Sequence, residues 1–116
     1  MLIERGQVFF VSLDPTVGRE IGGNKTRPVV VLSINDLNVK PLVVTVVPGT
    51  STRLNFRNCV AVSSSFSNGL KRDTFFMCHQ VRAIDHQRFT RSAVGRLSGE
   101  DMRRIEEAVK FSLGLF

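Results

Sequence analysis

Residues 27–50 read RPVVVLSI (27–34), NDLNVKP (35–41) and LVVTVVPGT (42–50): two Val-rich apolar runs separated by a polar link. Short β-branched runs bounded by Pro, Gly, Asn and Asp are strand signals, and Pro48-Gly49 is turn punctuation. Folded as an antiparallel hairpin around Asn35–Pro41, the two runs set Ile34 opposite Val43, Pro28 opposite Gly49 and Arg27 opposite Thr50. The start of one strand and the end of the next therefore share one edge of a sheet.

Working outward, Gln7–Leu13, Asn58–Ser63 and Thr74–Ile84 are further short runs of this kind, punctuated by Asp14-Pro15, Gly22-Gly23 and Asn68-Gly69. Only the tail changes period. Ser98 opens a Ser-x-x-Asp capping pattern, Met102, Ile105, Val109 and Leu113 recur at helical spacing, and Gly114 ends the run. The expected fold is mainly β: a small barrel or half-open sheet closed by one C-terminal helix. With 116 residues the chain is expected to form a single domain, 1–116.

Apolar residues make up 42% and charged residues 22%, an ordinary globular composition that excludes a disordered tail. The balance of charge is less ordinary. Sixteen Lys and Arg, twelve of them Arg, stand against ten Asp and Glu, for a net charge of +6. Arginine offers a planar, permanently charged, bidentate donor, so the bias points to a phosphate-rich or acidic partner. The helical tail has three basic and four acidic residues, which leaves +7 on residues 1–97. The positive surface thus belongs to the sheet and its loops. No apolar run approaches the roughly 18 residues of a membrane span, and charges interrupt the first residues where a signal peptide would build its apolar stretch. A cytoplasmic protein with no membrane association is expected. Cys59 and Cys78 read as small buried thiols rather than a disulfide framework.

The segment DPTVGREIGGNKT (14–26) is a long connection without apolar period. Gly18, Gly23, Lys25 and Thr26 suggest a phosphate loop, but Asn24 interrupts the motif, and a strand follows where the helix that holds the phosphates should begin. The hairpin edge is more informative. It gathers this loop and the 50–57 segment, and with them Arg19, Lys25, Arg27, Arg53, Arg57 and the hydroxyls of Thr50, Ser51 and Thr52. Guanidinium groups beside hydroxyl donors supply the charge and the directional hydrogen bonds that a phosphate requires. His79 and His86 are the only side chains that titrate near neutrality. Cys78 and His79, as neighbours on one strand, would face opposite sides and so form no joint metal site. Asp85-His86 lacks the nucleophile elbow of a hydrolase triad.

The ordered segments Glu4-Arg5-Gly6, Asp14-Pro15-Thr16 with Gly18 and Glu20, Thr26-Arg27-Pro28, Val47-Pro48 with Thr50-Ser51, and Gln80-Val81-Arg82-Ala83-Ile84-Asp85 before a closing helix resemble the MazF/PemK/Kid toxins over essentially the whole chain. The resemblance implies an SH3-like barrel, shared with the CcdB toxins, that forms a homodimer. It also implies cleavage of single-stranded RNA without metal or cofactor, and silencing by an antitoxin whose acidic tail fills the RNA groove. It makes Arg27 and Thr50 the catalytic pair with Ser51 beside them; the cations gathered at the hairpin edge, Arg19, Lys25, Arg53 and Arg57, are with Ser51 the expected RNA-binding residues. The chain has no Trp or Tyr, which leaves Phe56 as the candidate stacking surface for a base. Three positions depart from the pattern: His79 stands where some members carry an acid, Met77 where they carry an arginine, and Arg19 where some carry an assisting histidine. His79 is accordingly a candidate general acid or base. The alternative reading is a non-catalytic, gyrase-directed CcdB-like toxin or a nucleic-acid-binding module on the same barrel.

Overall fold

The computed structural model describes residues 1–23, 25–40 and 42–115. Seven strands form one curled antiparallel sheet: β1 (Gln7–Val11), β2 (Arg27–Val31), β3 (Val43–Thr50), β4 (Cys59–Val62), β5 (Thr74–Met77), β6 (Arg82–Asp85) and β7 (Gly95–Arg96). A one-turn helix α1 (Asn35–Asn38) lies in the β2–β3 link, and α2 (Gly99–Leu113) closes the chain. The strand order is β4-β5-β3-β2-β1-β7. This is the expected half-barrel with a C-terminal helix.

β3 organises the sheet. One edge pairs with β2 through Val29–Pro48, Val30–Val47 and Val31–Val46, the register expected from the hairpin. Its other edge is divided: residues 43–46 pair with β6, and Gly49 and Thr50 pair with Phe76 and Phe75 of β5. A single long strand thus belongs to both halves of the curl.

Both faces of the central strands are buried, which is why they read as continuous Val runs rather than alternating ones. Val8, Val30 and Val47 face α2 and pack with Val60, Val62, Leu70, Phe76, Met102, Ile105, Ala108 and Val109. Phe9, Val29, Val31, Val44 and Val46 face the interior of the curl with Ile3, Leu13, Ile84 and Phe89, where Phe9 and Phe89 meet edge to face at 5.0 Å. α2 is capped as its sequence indicates: the Ser98 side chain accepts from the Asp101 N–H, and Gly114 takes the left-handed conformation (φ 71°). Leu113 departs from the helical core stripe. It is exposed, and the buried residues of the helix are Met102, Ile105, Ala108 and Val109.

One expected strand is broken. The run 74–84 is not continuous: β5 stops at Met77, Cys78–Gln80 forms a single 3-10 turn, and β6 resumes at Arg82. The break lets the chain leave the Thr50 end of β3 and rejoin it at the Val43 end. His79 therefore sits exposed on a turn, not on a strand face opposite Cys78.

Candidate active site

The register that pairs Val29 with Pro48 carries Arg27 and Thr50 to the same end of the β2–β3 pair, and both line one groove of about 830 Å³. Its other lining residues are Phe10, Gly23, Lys25, Thr26, Pro28, Ser51, Lys71, Arg72 and Thr74. Four cations and four hydroxyls converge there, and no carboxylate is among them. None of the four cations takes part in a salt bridge among the described residues. The groove is therefore a field of unneutralised donors, suited to an anion carrying several oxygens.

Arg27 is held from behind. Its Nε donates to the Gly22 carbonyl at 2.8 Å, and its terminal nitrogens have no hydrogen-bond partner among the described residues. The Gly22 carbonyl is itself fixed by close packing: a Cβ on Gly22 would lie 2.4 Å from Asp14 Oδ1 and 2.7 Å from Thr16 Oγ1. Gly23, at φ 118°, donates its N–H to Asp14 Oδ1 at 3.0 Å. The glycine pair is thus required by geometry, and Asp14 and Thr16 are the surface on which the loop closes. Thr50 is nearly buried, 5% exposed, and its Oγ1 accepts from the Thr52 N–H at 3.2 Å. That bond orients the hydroxyl while leaving its proton available to an incoming oxygen.

The long 14–26 loop is also clamped from the far side. Gln80 accepts from the Ile21 N–H at 2.6 Å and donates to the Arg19 carbonyl. Arg88 donates to the carbonyls of Ser12 and Asp14, and Arg82 to that of Leu13. The Gln-Val-Arg segment of the sequence therefore supports the loop that presents Arg27, a role its spacing gave no sign of.

Lys25, Arg27, Thr50 and Ser51, all named from sequence, come together in this groove. Arg19 and His79 are exposed on the supporting loop and on the 3-10 turn, outside the groove lining. Arg53, Phe56 and Arg57 lie outside this groove and line a separate one with residues of β4 and β5, and the Arg57 guanidinium lies 4.0 Å over the Phe111 ring of α2. Lys71, Arg72 and Phe10 are groove residues that sequence reading missed. The signal for the first two was a basic pair directly after the Asn68-Gly69 turn. That turn is locked by Asn68, whose side chain bonds Ser63, Ser65 and Leu70, and by Gly69 and Gly95, where close backbone approach leaves no room for a side chain.

Burial raises the Cys59 thiol, and burial with the neighbouring Cys59 pushes Cys78 up to about 12, so both are neutral, weakly nucleophilic thiols. Among the described residues no three His, Cys, Asp or Glu side chains cluster closely enough to hold a metal ion, and no helix is long and apolar enough to cross a membrane.

Residues 4–113 match the family described as PemK-like, MazF-like toxin of type II toxin-antitoxin system. Over 118 residues the chain is 32% identical to Endoribonuclease EndoA of Bacillus subtilis (strain 168), covering 99% of this chain and 97% of that protein. Its fold is similar to the crystal structure of MazF from Deinococcus radiodurans, with a TM-score of 0.85 at 18% identity over 98% of both chains. It is also similar to a mycobacterial endoribonuclease solved in complex with its cognate antitoxin, with a TM-score of 0.79 at 23% identity over 98% of this chain and 97% of that one.

Proposed function

The chain belongs to the PemK-like, MazF-like toxin family of type II toxin-antitoxin systems, and we propose that it is an endoribonuclease that cuts single-stranded RNA in the Arg27–Thr50 groove. The convergence of Arg27 and Thr50 in a lining of cations and hydroxyls without a carboxylate carries this reading. Simple phosphate binding needs charge alone. A guanidinium held by a backbone carbonyl next to an oriented hydroxyl is what a phosphorane requires.

The 2′-hydroxyl of the nucleotide before the cut attacks the adjacent phosphorus, forming the 2′-O–P bond as the P–O5′ bond breaks. Arg27 stabilises the charge that builds on the non-bridging oxygens, and Thr50 donates to one of them and fixes the phosphate for in-line attack. The products are a 2′,3′-cyclic phosphate and a 5′-hydroxyl, and DNA is inert because it lacks the nucleophile. Lys25, Ser51 and Arg19 bind the backbone near the cut. Arg53, Phe56 and Arg57 contact RNA flanking it. His79 is kept as the candidate general acid or base, although its turn lies outside the groove lining. The active form is a homodimer, and an acidic antitoxin segment occupies the cationic groove. The relatives' names, an endoribonuclease and one bound to its cognate antitoxin, support this reading over a gyrase-directed one.

Purified protein free of antitoxin is incubated with single-stranded RNA in excess chelator and the cut ends are identified. Cleavage with cyclic-phosphate ends, lost in Arg27→Ala and strongly reduced in Thr50→Val, is expected. Intact RNA overturns the nuclease reading, and chelator-sensitive cutting overturns its metal-free form. A pH–rate profile of His79→Ala identical to wild type in shape and rate removes His79 from the mechanism.

A further inference from the structure

The groove extends beyond the phosphate-binding residues onto an apolar surface. On the face of the sheet that α2 covers, Val8, Val30 and Val47 form one cross-strand row, paired as Val8–Val30 and Val30–Val47. The next row on the same face begins with the Phe10–Pro28 pair. That row is not sealed. Phe10 and Pro28 are half-buried, unlike the fully buried Val8 and Val30, and both line the groove with Arg27 and Thr50. By strand alternation Arg27 and Thr50 belong to the opposite face, so the groove passes over the strand ends from a polar side to an aromatic one.

An exposed side chain lies over the Phe10 ring. Lys71 Nζ lies over it at 5.3 Å from the ring centroid. Lys71 is delivered by the locked 63–70 turn and has no carboxylate partner among the described residues. Such a solvent-exposed cation–π contact is weaker than the stacking of a nucleobase on an aromatic ring. A base can therefore displace the ammonium from the ring, and the released ammonium then has a phosphate to neutralise.

We propose that Phe10 is the surface on which this protein stacks a nucleobase of its RNA substrate beside the scissile phosphate, with Lys71 exchanging from the ring to the RNA backbone as the base arrives. The inference rests on the ribonuclease reading and adds a base-binding subsite to it. Phe56, the aromatic residue expected to stack from sequence, lies outside this groove. Phe10 is the only aromatic side chain among the residues that line it.

A seven-nucleotide RNA spanning a mapped cut, with 2′-deoxyribose at the scissile position so that it binds uncut, tests this directly. It is titrated onto wild type, Phe10→Leu and Phe10→Trp, and again with each nucleotide in turn made abasic. Phe10→Leu is expected to weaken binding about tenfold. One abasic position should cost wild type a similar factor and cost Phe10→Leu nothing further. The chain contains no Trp, so Phe10→Trp introduces a unique fluorophore, expected to be quenched by the intact RNA and not by the RNA abasic at that position. Phe10→Leu binding within twofold of wild type, with unchanged circular dichroism and melting temperature, overturns the proposal. So does a folded Phe10→Trp protein whose emission does not respond to saturating RNA. Wild type that cuts RNA while the Phe10 variants bind normally defeats this inference alone. Wild type that neither cuts nor binds RNA defeats the nuclease reading and this inference with it.

Discussion

The Arg27–Thr50 groove and the groove between the start of β4 and α2 are nearly equal in size, about 830 and 880 Å³, and each is lined by four cations. Their chemistry differs in how those cations are occupied. In the helix-side groove Arg57 lies over Phe111, Arg104 pairs with Asp101 at 3.0 Å and Lys110 approaches Glu107 at 3.9 Å, with Glu100 also in the lining. In the other groove Lys71 lies over Phe10 while Lys25, Arg27 and Arg72 line the groove with hydroxyls, and no acid is in the lining. A count of positive residues would rank the two alike. Partnering separates them, because a cation already neutralised by a neighbouring carboxylate has little left to offer a phosphate.

The sharpest way to break this comparison is to remove one guanidinium from each groove. Arg27→Ala is expected to lower kcat for RNA cleavage by about a hundred- to a thousandfold with the fold intact. Arg104→Ala, whose guanidinium already pairs with Asp101, should change it by less than about threefold. Equal losses measured by single-turnover kinetics would erase the distinction.

A milder perturbation reaches Arg27 through its support. In Gly22→Ala the new methyl would collide with Asp14 and Thr16, displacing the carbonyl that holds the guanidinium. A fall in kcat of about tenfold is expected, since small misplacements of a positioning group are costly. An unchanged kcat would mean that Arg27 needs no such brace.

Salt dependence compares the two sets of cations without chemistry. Removing Lys71 and Arg72 together as Gln variants should reduce the slope of log binding constant against log salt by about 1.4 for single-stranded RNA, roughly 0.7 per phosphate contact. The Arg104→Gln, Lys110→Gln pair, both already next to carboxylates, should leave the slope unchanged. Binding isotherms on an uncleavable RNA at several salt concentrations decide the matter.

The smallest expected effect concerns the thiols behind the helix-side groove. The Cys78 proton is held more tightly in the folded protein, up to about 12, than the ordinary thiol value of 9.0. The raised value means that its stabilisation is complete below about pH 9 and is lost as pH climbs toward 12. Equilibrium denaturation should therefore show stability declining across that alkaline window, and the decline should disappear in Cys78→Ala. Near neutral pH, alkylation of Cys59 should be slow and leave RNA cleavage unchanged.

Much of this molecule is readable along the chain where the interactions are local. The Ser98 cap and Gly114 stop delimit α2 because their hydrogen bonds close within a turn. Likewise a hairpin about residues 35–41 gives the register that β2 and β3 adopt, and the Val runs mark which residues are buried. That suffices to bring Arg27 and Thr50 to one edge. The break at Cys78–Gln80 was not legible, because the segment has no Gly, Pro, Asn or Asp to mark a turn, and its position depends on the two stretches of β3 that β5 and β6 pair with.

From sequence alone, then, follow the β-rich class, the closing helix, the hairpin register and the Arg27–Thr50 pairing. Tertiary structure decided the rest of the groove. β5 docks on the free edge of β3 at Gly49 and Thr50, bringing in Lys71 and Arg72, and Phe10 stays half-buried in the groove lining. The same packing leaves Arg53, Phe56 and Arg57 lining a separate groove. The reason is physical. Pairing across a short turn is dictated by chain geometry, whereas the choice of partner for a distant strand depends on the burial and curl of the whole sheet, which no single segment encodes.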